Sequence, residues 1–541
     1  MAVDVHPGLK KRDIKVSTVV FMIFCLCAAG AFGIEEMIPQ SGPGLTIILL
    51  IVLPIVWSTP MGLVAAELGS ARPQEGGYYK WVQEALGEFW GFQAGWWRTI
   101  SVYIDNTLYV ILAGGYVSMV WQLNTVSEFA IKAAMIIFFT YINIRGLKDV
   151  GMMSTVLSIM VIVAFSLVTI VGIMNWNFNP MAPITSAPIE APIDWVFYIG
   201  GGLAIGMWMY SGYESMSTVA GEVTNPQIIP IATMITVPLI MATYVLPTIT
   251  GLASVGNWES WGTIGTDAVG YSTVLTQFVS PIWGIIFIVV AILANCSVYN
   301  VYIASGSRGF FVLAEDNLAP PIMVKCDKKH GVPYVAVLSV GIANLILCMV
   351  AFEVIVIIDV FMFMSAYVMI FISGIILRKR IPDSERKFKI PGGDGFLIVL
   401  CVVPMIVAFI AFFINGTDYF IGGMLGLVTG PVLYVIWRWR YGGLSRKDPV
   451  KYPLNTKTGL AVGDLKRMAV LFFILGIMGI LGFLFLPWYE GSWAYDYYLE
   501  IYGIEYMLEK MVFWIRNTAV AFLLLSLALW LAGKKLEPAT R

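Results

Sequence analysis

The chain has 541 residues, 59% hydrophobic and 12% charged, with mean hydropathy +0.82 and a net charge of −1. That balance excludes a soluble domain, carries no basic excess for a nucleic-acid partner, and predicts an all-α polytopic protein whose solvent is the lipid bilayer. Of the chemistry-bearing residues, the two histidines, His6 and His330, fall in polar flanks, so a membrane-embedded hydrolase or acyltransferase with a histidine base at bilayer depth is excluded.

Apolar runs predict spans near 16–38, 45–67, 89–121, 127–145, 152–174, 195–221, 228–252, 276–306, 333–352, 355–377, 396–415, 419–437, 467–488 and 513–533. Most of the 33 Lys and Arg gather at the N-terminus, in the loops after spans 2, 4, 8, 10 and 12, and at the C-terminus. Such sorting predicts fourteen crossings of the plasma membrane with both termini cytoplasmic. A signal-peptide reading of the first span, cleaved near Ala29-Gly30-Ala31, would spoil the sorting of every later loop. The polar remainder is a cytoplasmic stretch 1–15, cytoplasmic stretches around 316–332, 378–395 and 438–466, the last containing the linker 442–466, a tail 534–541 and an outer loop 488–512. That outer loop, with Glu490, Asp496, Glu500, Glu505 and Glu509, reads as solvated and interfacial.

The first span ends in AAGAFGIEEMIPQSGPG, residues 28–44, a glycine-broken patch carrying Glu35 and Glu36. Hydrocarbon cannot satisfy freed backbone groups, so such a break belongs beside a cavity, and charge there wants a cationic partner. A second glycine-interrupted patch, GGGLAIGMWMYSGYESMSTVAGE, spans 200–222. Span 1 starts inside and span 6 outside, as two inverted halves require, although close helix packing also uses small residues. Asp105 lies mid-span beside Asn106 and Tyr109, an ionisable residue at bilayer depth and therefore a functional candidate. Arg98 in the same span reads as the neutralising partner of Glu67 or Glu214. The six cysteines (Cys25, Cys27, Cys296, Cys326, Cys348, Cys401) form no paired framework, and Cys25-x-Cys27 has no histidine or carboxylate within a turn, so neither metal nor cofactor is expected.

Tyr210-Ser211-Gly212-Tyr213-Glu214, followed by Ala220-Gly221-Glu222-Val223-x-Asn225-Pro226, resembles the sixth helix of the amino acid-polyamine-organocation (APC) superfamily. Ala31-Phe32-Gly33-Ile34 is similar to the break of its first helix, and Glu67-Leu68-Gly69 with Pro73-x-x-Gly76-Gly77-Tyr78 to its second helix and loop. Gly30 to Glu36, Phe89-Trp90-Gly91-Phe92-Gln93-x-Gly95-Trp96 and Ile104-Asp105-Asn106-x-Leu108-Tyr109 resemble the polyamine:proton symporter branch. The resemblance runs from about residue 16 to 441. It implies a LeuT-type 5+5 inverted repeat over 16–378, helices 11 and 12 over 396–441 to complete a twelve-helix core, and two extra helices over 467–533.

The resemblance also implies a substrate site between Gly30, Phe32, Gly33, Ile34, Glu35 and Glu36 of helix 1, Asp105, Asn106 and Tyr109 of helix 3, Trp208, Tyr210, Ser211 and Tyr213 of helix 6, and Asn295 and Tyr299 of helix 8. Helix-break amides favour anionic groups and carboxylates favour ammonium groups, so the pair Glu35 and Glu36 welcomes an amine and partly repels a zwitterion. The plant members carry an acid in helix 8 beyond its Asn, whereas residues 295–302 here have none, leaving room for an amino acid or a shorter amine. Helix 5, 152–174, is uncharged, so a coupling proton falls to Glu214, Glu36 or Asp105. The expected activity is proton-coupled transport of an amine or amino acid, with exchange of two solutes or substrate sensing on the same fold as alternatives and no enzyme activity.

Overall fold

The computed structural model describes residues 15–537 except 29–30, 74–75, 122, 146–149, 216–224, 226, 263–267, 328–330 and 492. Gly30 and most of the 220–226 motif therefore lie outside the described residues.

The chain begins in helix α1 (Val16–Cys27), which ends at extended Ala28. Beyond left-handed Gly33 a 3-10 turn, Ile34–Glu36, leads into α2 (Met37–Ser41). Helices α3 (Pro43–Leu53) and α4 (Thr59–Ala71) are joined by a wide turn, Pro54–Ser58, and run as one long segment. Pro54 has no N–H for the helical ladder, which favours such a local widening. The amphipathic α5 (Gly77–Leu86) precedes the long α6 (Glu88–Trp121), followed by α7 (Thr125–Arg145), α8 (Val150–Met174) and α9 (Pro192–Met209), after which the chain breaks again.

The second half repeats this order with α10 (Ile228–Val255), a short α11 (Tyr271–Phe278), α12 (Pro281–Glu315), α13 (Tyr334–Leu347) and α14 (Phe352–Arg380). Helices α15 (Gly393–Ala411) and α16 (Thr417–Tyr441) follow, and α17 (Asp464–Glu490), α18 (Trp493–Tyr502) and α19 (Met507–Leu536) close the chain. Among the described residues eleven helical segments are long and apolar enough to cross a membrane, and α1 and α13 are shorter apolar helices. Residues such as Val163, Ile137 and Leu524 point outward from α8, α7 and α19, as lipid-facing side chains do.

Helix α1 lies among α8, α10 and α12, and α6 packs along α12 and α14, so both breaks sit at the centre of the bundle. The 200–222 patch divides into two roles. Gly200, Gly202 and Gly206 stay inside continuous α9, where an added Cβ would strike the Ile414 carbonyl, Ser41 and Leu53. They are contact glycines. The break itself comes later, at Tyr210 to Gly212.

The extra hairpin α17–α19 is fastened at both ends. Asp464 accepts from Tyr434 (2.6 Å) and pairs with Arg467 (3.0 Å), while Arg438 lies between it and Glu88 (3.3 Å). In the same region Asp316, just past α12, is clamped by Lys80 of α5 and by Lys447 (2.9 Å) of the linker, with Tyr79 adding a 2.7 Å hydrogen bond. Burial alone would raise the Asp316 carboxyl, but Lys80, Tyr79 and Lys447 outweigh it and hold the group below the ordinary Asp value. At the opposite end Glu490 is fully buried, contrary to its expected place in a solvated loop. It accepts from the Thr417 amide (2.6 Å), the Thr417 hydroxyl (2.8 Å) and Tyr498 (2.8 Å), because the free amides at the start of α16 need an acceptor there. Asp496, Glu500, Glu505 and Glu509 are exposed, as expected of that loop.

Candidate functional site

Breaking a helix frees carbonyls that hydrocarbon cannot satisfy, and here phenols do so. Tyr302 of α12 donates to the Leu26 carbonyl (2.9 Å), and the Tyr244 hydroxyl of α10 lies 3.1 Å from both the Cys27 and the Met209 carbonyls, tying the two breaks together. Ser58 donates to the Tyr210 carbonyl (3.0 Å), and Trp57 donates its indole N–H to Ser211 (3.1 Å). Gly33 (φ 97°) and Gly212 (φ 107°) supply the left-handed turns. Space is as limiting as angle at both: a Cβ at Gly33 would stand 3.2 Å from Trp208, and one at Gly212 3.0 Å from the Tyr302 hydroxyl.

After the second break the Gly212 amide donates to Tyr367 of α14 (3.1 Å), whose hydroxyl donates in turn to Glu214. Arg98 of α6 donates Nε to Glu214 Oε1 (2.8 Å) and Nη1 to Ser101 (3.0 Å). Glu214 and Arg98 are both buried, so the ion pair anticipated for Arg98 forms with Glu214. Glu67, the other anticipated partner, instead pairs with Arg378 (2.6 Å).

About two turns further along α6, Asp105 accepts the indole N–H of Trp208 (2.7 Å), and Tyr302 is a second polar neighbour. Tyr109 lies 5.6 Å, ring to ring, from both Trp208 and Tyr302, and Phe352 stands edge-on to Trp208 at 5.7 Å. Next to Asp105 is Asp359 of α14, fully buried, with neither carboxylate oxygen in a hydrogen bond of good geometry; Ser101 is its polar neighbour. Arg98 is the basic group acting on Asp105, Asp359 and Glu214 alike. Three carboxyl groups thus share one guanidinium beside the rings of Tyr109, Trp208 and Tyr302. Such a place suits cations, through charge and through ring quadrupoles.

The other sequence-predicted residues distribute around this centre. Phe32 packs on Tyr116, Phe165 and Phe287, and Ile34 is buried beside it. Glu35 accepts from the Gly33 amide (3.2 Å) and Tyr116 (3.0 Å) and lies against Gly270 and Tyr271 at the start of α11, while Glu36 approaches Gly262. These two carboxylates thus meet the stretch leading into α11, and no hydrogen bond among the described residues joins them to Asp105 or Glu214. Tyr210 donates to the Leu50 carbonyl (2.7 Å), and Tyr213 is buried near Ser58. Asn106 and Tyr299 converge on Asn344 of α13 (3.2 Å each), and Asn295 donates to the Ala291 carbonyl within its own helix. Asp105, Tyr109, Trp208 and Glu214 are therefore grouped, whereas Asn106, Asn295 and Tyr299 face another seam. Asp359, Tyr302 and Tyr367 escaped the sequence reading. The signal for Asp359 was present, as the lone charge in the predicted span 355–377.

Residues 14–437 match the family model described as amino acid permease. The chain belongs to this family. The permease is 28% identical over 427 residues to the polyamine transporter RMV1 of Arabidopsis thaliana, covering 78% of this chain and 84% of that one. It is 30% identical over 403 residues to the polyamine transporter PUT1 of Oryza sativa subsp. japonica, covering 73% and 72%. A 24% identity over 396 residues relates it to the serine/threonine exchanger SteT of Bacillus subtilis, covering 71% and 87%. Its fold is similar to that of MhsT, solved in complex with L-phenylalanine, with TM-score 0.57 at 13% identity over 75% of the permease and all of that chain. The permease is thus a membrane transporter on the LeuT fold, not an enzyme.

Proposed function

We propose that the permease carries organic amines across the cell membrane by alternating access, with the ammonium group held between Asp105 and Asp359 and protons as the coupling ion. The observation that carries this reading is the buried Asp359, with neither carboxyl oxygen in a hydrogen bond of good geometry, near Asp105, which itself lies against the cluster of Tyr109, Trp208, Tyr302 and Phe352. A buried carboxyl group with no hydrogen-bond partner is costly in hydrocarbon, and a bound ammonium group supplies both the donor and the counter-charge. A zwitterionic amino acid would bring its own carboxylate to three acids that already share one guanidinium. Glu214 is committed to Arg98 and Tyr367, so the coupling proton is assigned to the aspartates. In this reading the chain crosses the membrane fourteen times with both termini cytoplasmic. Residues 16–378 move substrate, 396–441 complete the core, and 467–533 brace it through the linker 442–466.

The test is uptake of labelled 1,4-diaminobutane, butylamine and leucine into proteoliposomes, with and without a pH gradient. Amine uptake exceeding leucine uptake, lowered tenfold or more by Asp105→Asn, is the expected result. Equal loss of amine and leucine uptake in that variant overturns the reading.

A further inference from the structure

The charge count at the centre has a consequence for stoichiometry. Within the buried cluster three carboxyl groups, Glu214, Asp105 and Asp359, surround one guanidinium, Arg98. Facing them from α1 is Cys27, from α6 Tyr109, from α12 Tyr302 and from α14 Tyr367, a thiol and phenols that are uncharged at neutral pH. From α5 the Tyr78 phenol, likewise uncharged at neutral pH, faces Arg98 and Glu214, while Ser101 and the Trp208 indole do not titrate. Two carboxyl groups buried beside a single guanidinium that is already paired with Glu214 cannot both stay ionised, so the empty site holds one proton between them.

We infer that Asp105 and Asp359 hold one shared proton when the site is empty, that a diamine displaces it, and that a monoamine does not. This rests on the reading that these aspartates take ammonium groups. With the shared proton in place the cluster has one excess negative charge, which a monoammonium ion neutralises without proton movement. A diammonium ion brings two charges, so the carboxylic O–H ionises, its proton passes to bulk water, and both carboxylates face the ligand. Diamine uptake is then exchange, with one proton leaving the site for each diamine that binds, whereas monoamine movement is not proton-linked. The permease counts ligand charge, and Asp359 is the residue that makes the count two.

The experiment is calorimetric titration of the purified full-length protein at pH 7 with 1,4-diaminobutane and with butylamine, each in two buffers of different ionisation enthalpy. The buffer dependence of the heat gives the protons released per ligand bound. One proton for the diamine and none for butylamine is the expected result. In Asp359→Asn the diamine should release none, and the two ligands should bind within a fewfold of each other. Equal proton release by the two ligands in the unaltered protein overturns the inference even where both bind, and needs no variant to fold. Binding of neither ligand overturns the proposed substrate class instead. An independent readout is competition: between pH 6 and 7 the apparent diamine Kd should rise about tenfold per unit of acidification while that of butylamine stays level, as one linked proton requires.

Discussion

Arg98 Nε meets Glu214 Oε1 at 2.8 Å with both groups buried, and this contact fastens α6 to the chain just past the second helix break. A buried pair gains little over a well-packed apolar one, but removing one partner leaves a stranded charge that costs about 3–5 kcal/mol. Arg98→Met and Glu214→Leu alone should each sharply lower the melting temperature of the purified protein. The double variant should recover most of that loss. A double variant as unstable as the sum of the singles would mean that the two groups act independently.

Trp208 offers a finer test of the carboxylate site. Trp208→Phe keeps an aromatic ring near Tyr109 but removes the 2.7 Å indole donor to Asp105. A hydrogen bond to a charged group contributes about 1.5–3 kcal/mol, so amine affinity should fall at least tenfold with a small change in melting temperature. Unaltered affinity would remove Asp105 from ligand recognition.

Gly33 and Gly212 combine positive φ with Cβ positions only 3.2 Å and 3.0 Å from their neighbours. A side chain in left-handed backbone costs about 1–2 kcal/mol before any crowding. Gly33→Ala and Gly212→Ala should therefore abolish uptake even where protein reaches the membrane. Gly422→Ala, whose Cβ would come no nearer than 3.9 Å to Ile358, is the tolerated control in the same assay.

Asp316 gives a pH expectation outside the membrane. Its folded carboxyl lies below the ordinary value, so the clamp with Lys80 and Lys447 contributes stability above the unfolded pKa of about 3.9 and loses it as pH falls through the folded value. The melting-temperature difference between the unaltered protein and Asp316→Asn should be level from pH 5 to 8 and shrink only below about pH 4. A difference that grows on acidification would contradict the clamp.

Topology can be checked at Val450, which is 90% exposed in the linker before α17. A cysteine placed there should react with a membrane-impermeant maleimide only after cells are opened. Labelling from outside intact cells would reverse the assigned orientation.

Apolar runs and sorted basic loops made the order of helices legible, because a bilayer imposes length and hydropathy on each span separately. Both breaks were legible for the same local reason, since Gly33 and Gly212 sit in short motifs that need no partner to be recognised. The role of Gly200, Gly202 and Gly206 was not, because a contact glycine and a break glycine look alike until the opposing surface is known. Glu490 misled in the same way: its acceptor role depends on the free amides of α16, about seventy residues earlier in the chain.

Composition and periodicity along the chain fix a many-helix membrane protein with acids at bilayer depth. Only the tertiary structure decided which acids are neutralised and which are not. Arg98 could have served Glu67, Glu214 or neither, and the approach of the chain just past the α9 break to α6 decided for Glu214, while α6 packs against α14, which carries Asp359. Coulomb interactions depend on distance through space and on the exclusion of water between groups, and neither quantity is written in the order of residues along one chain.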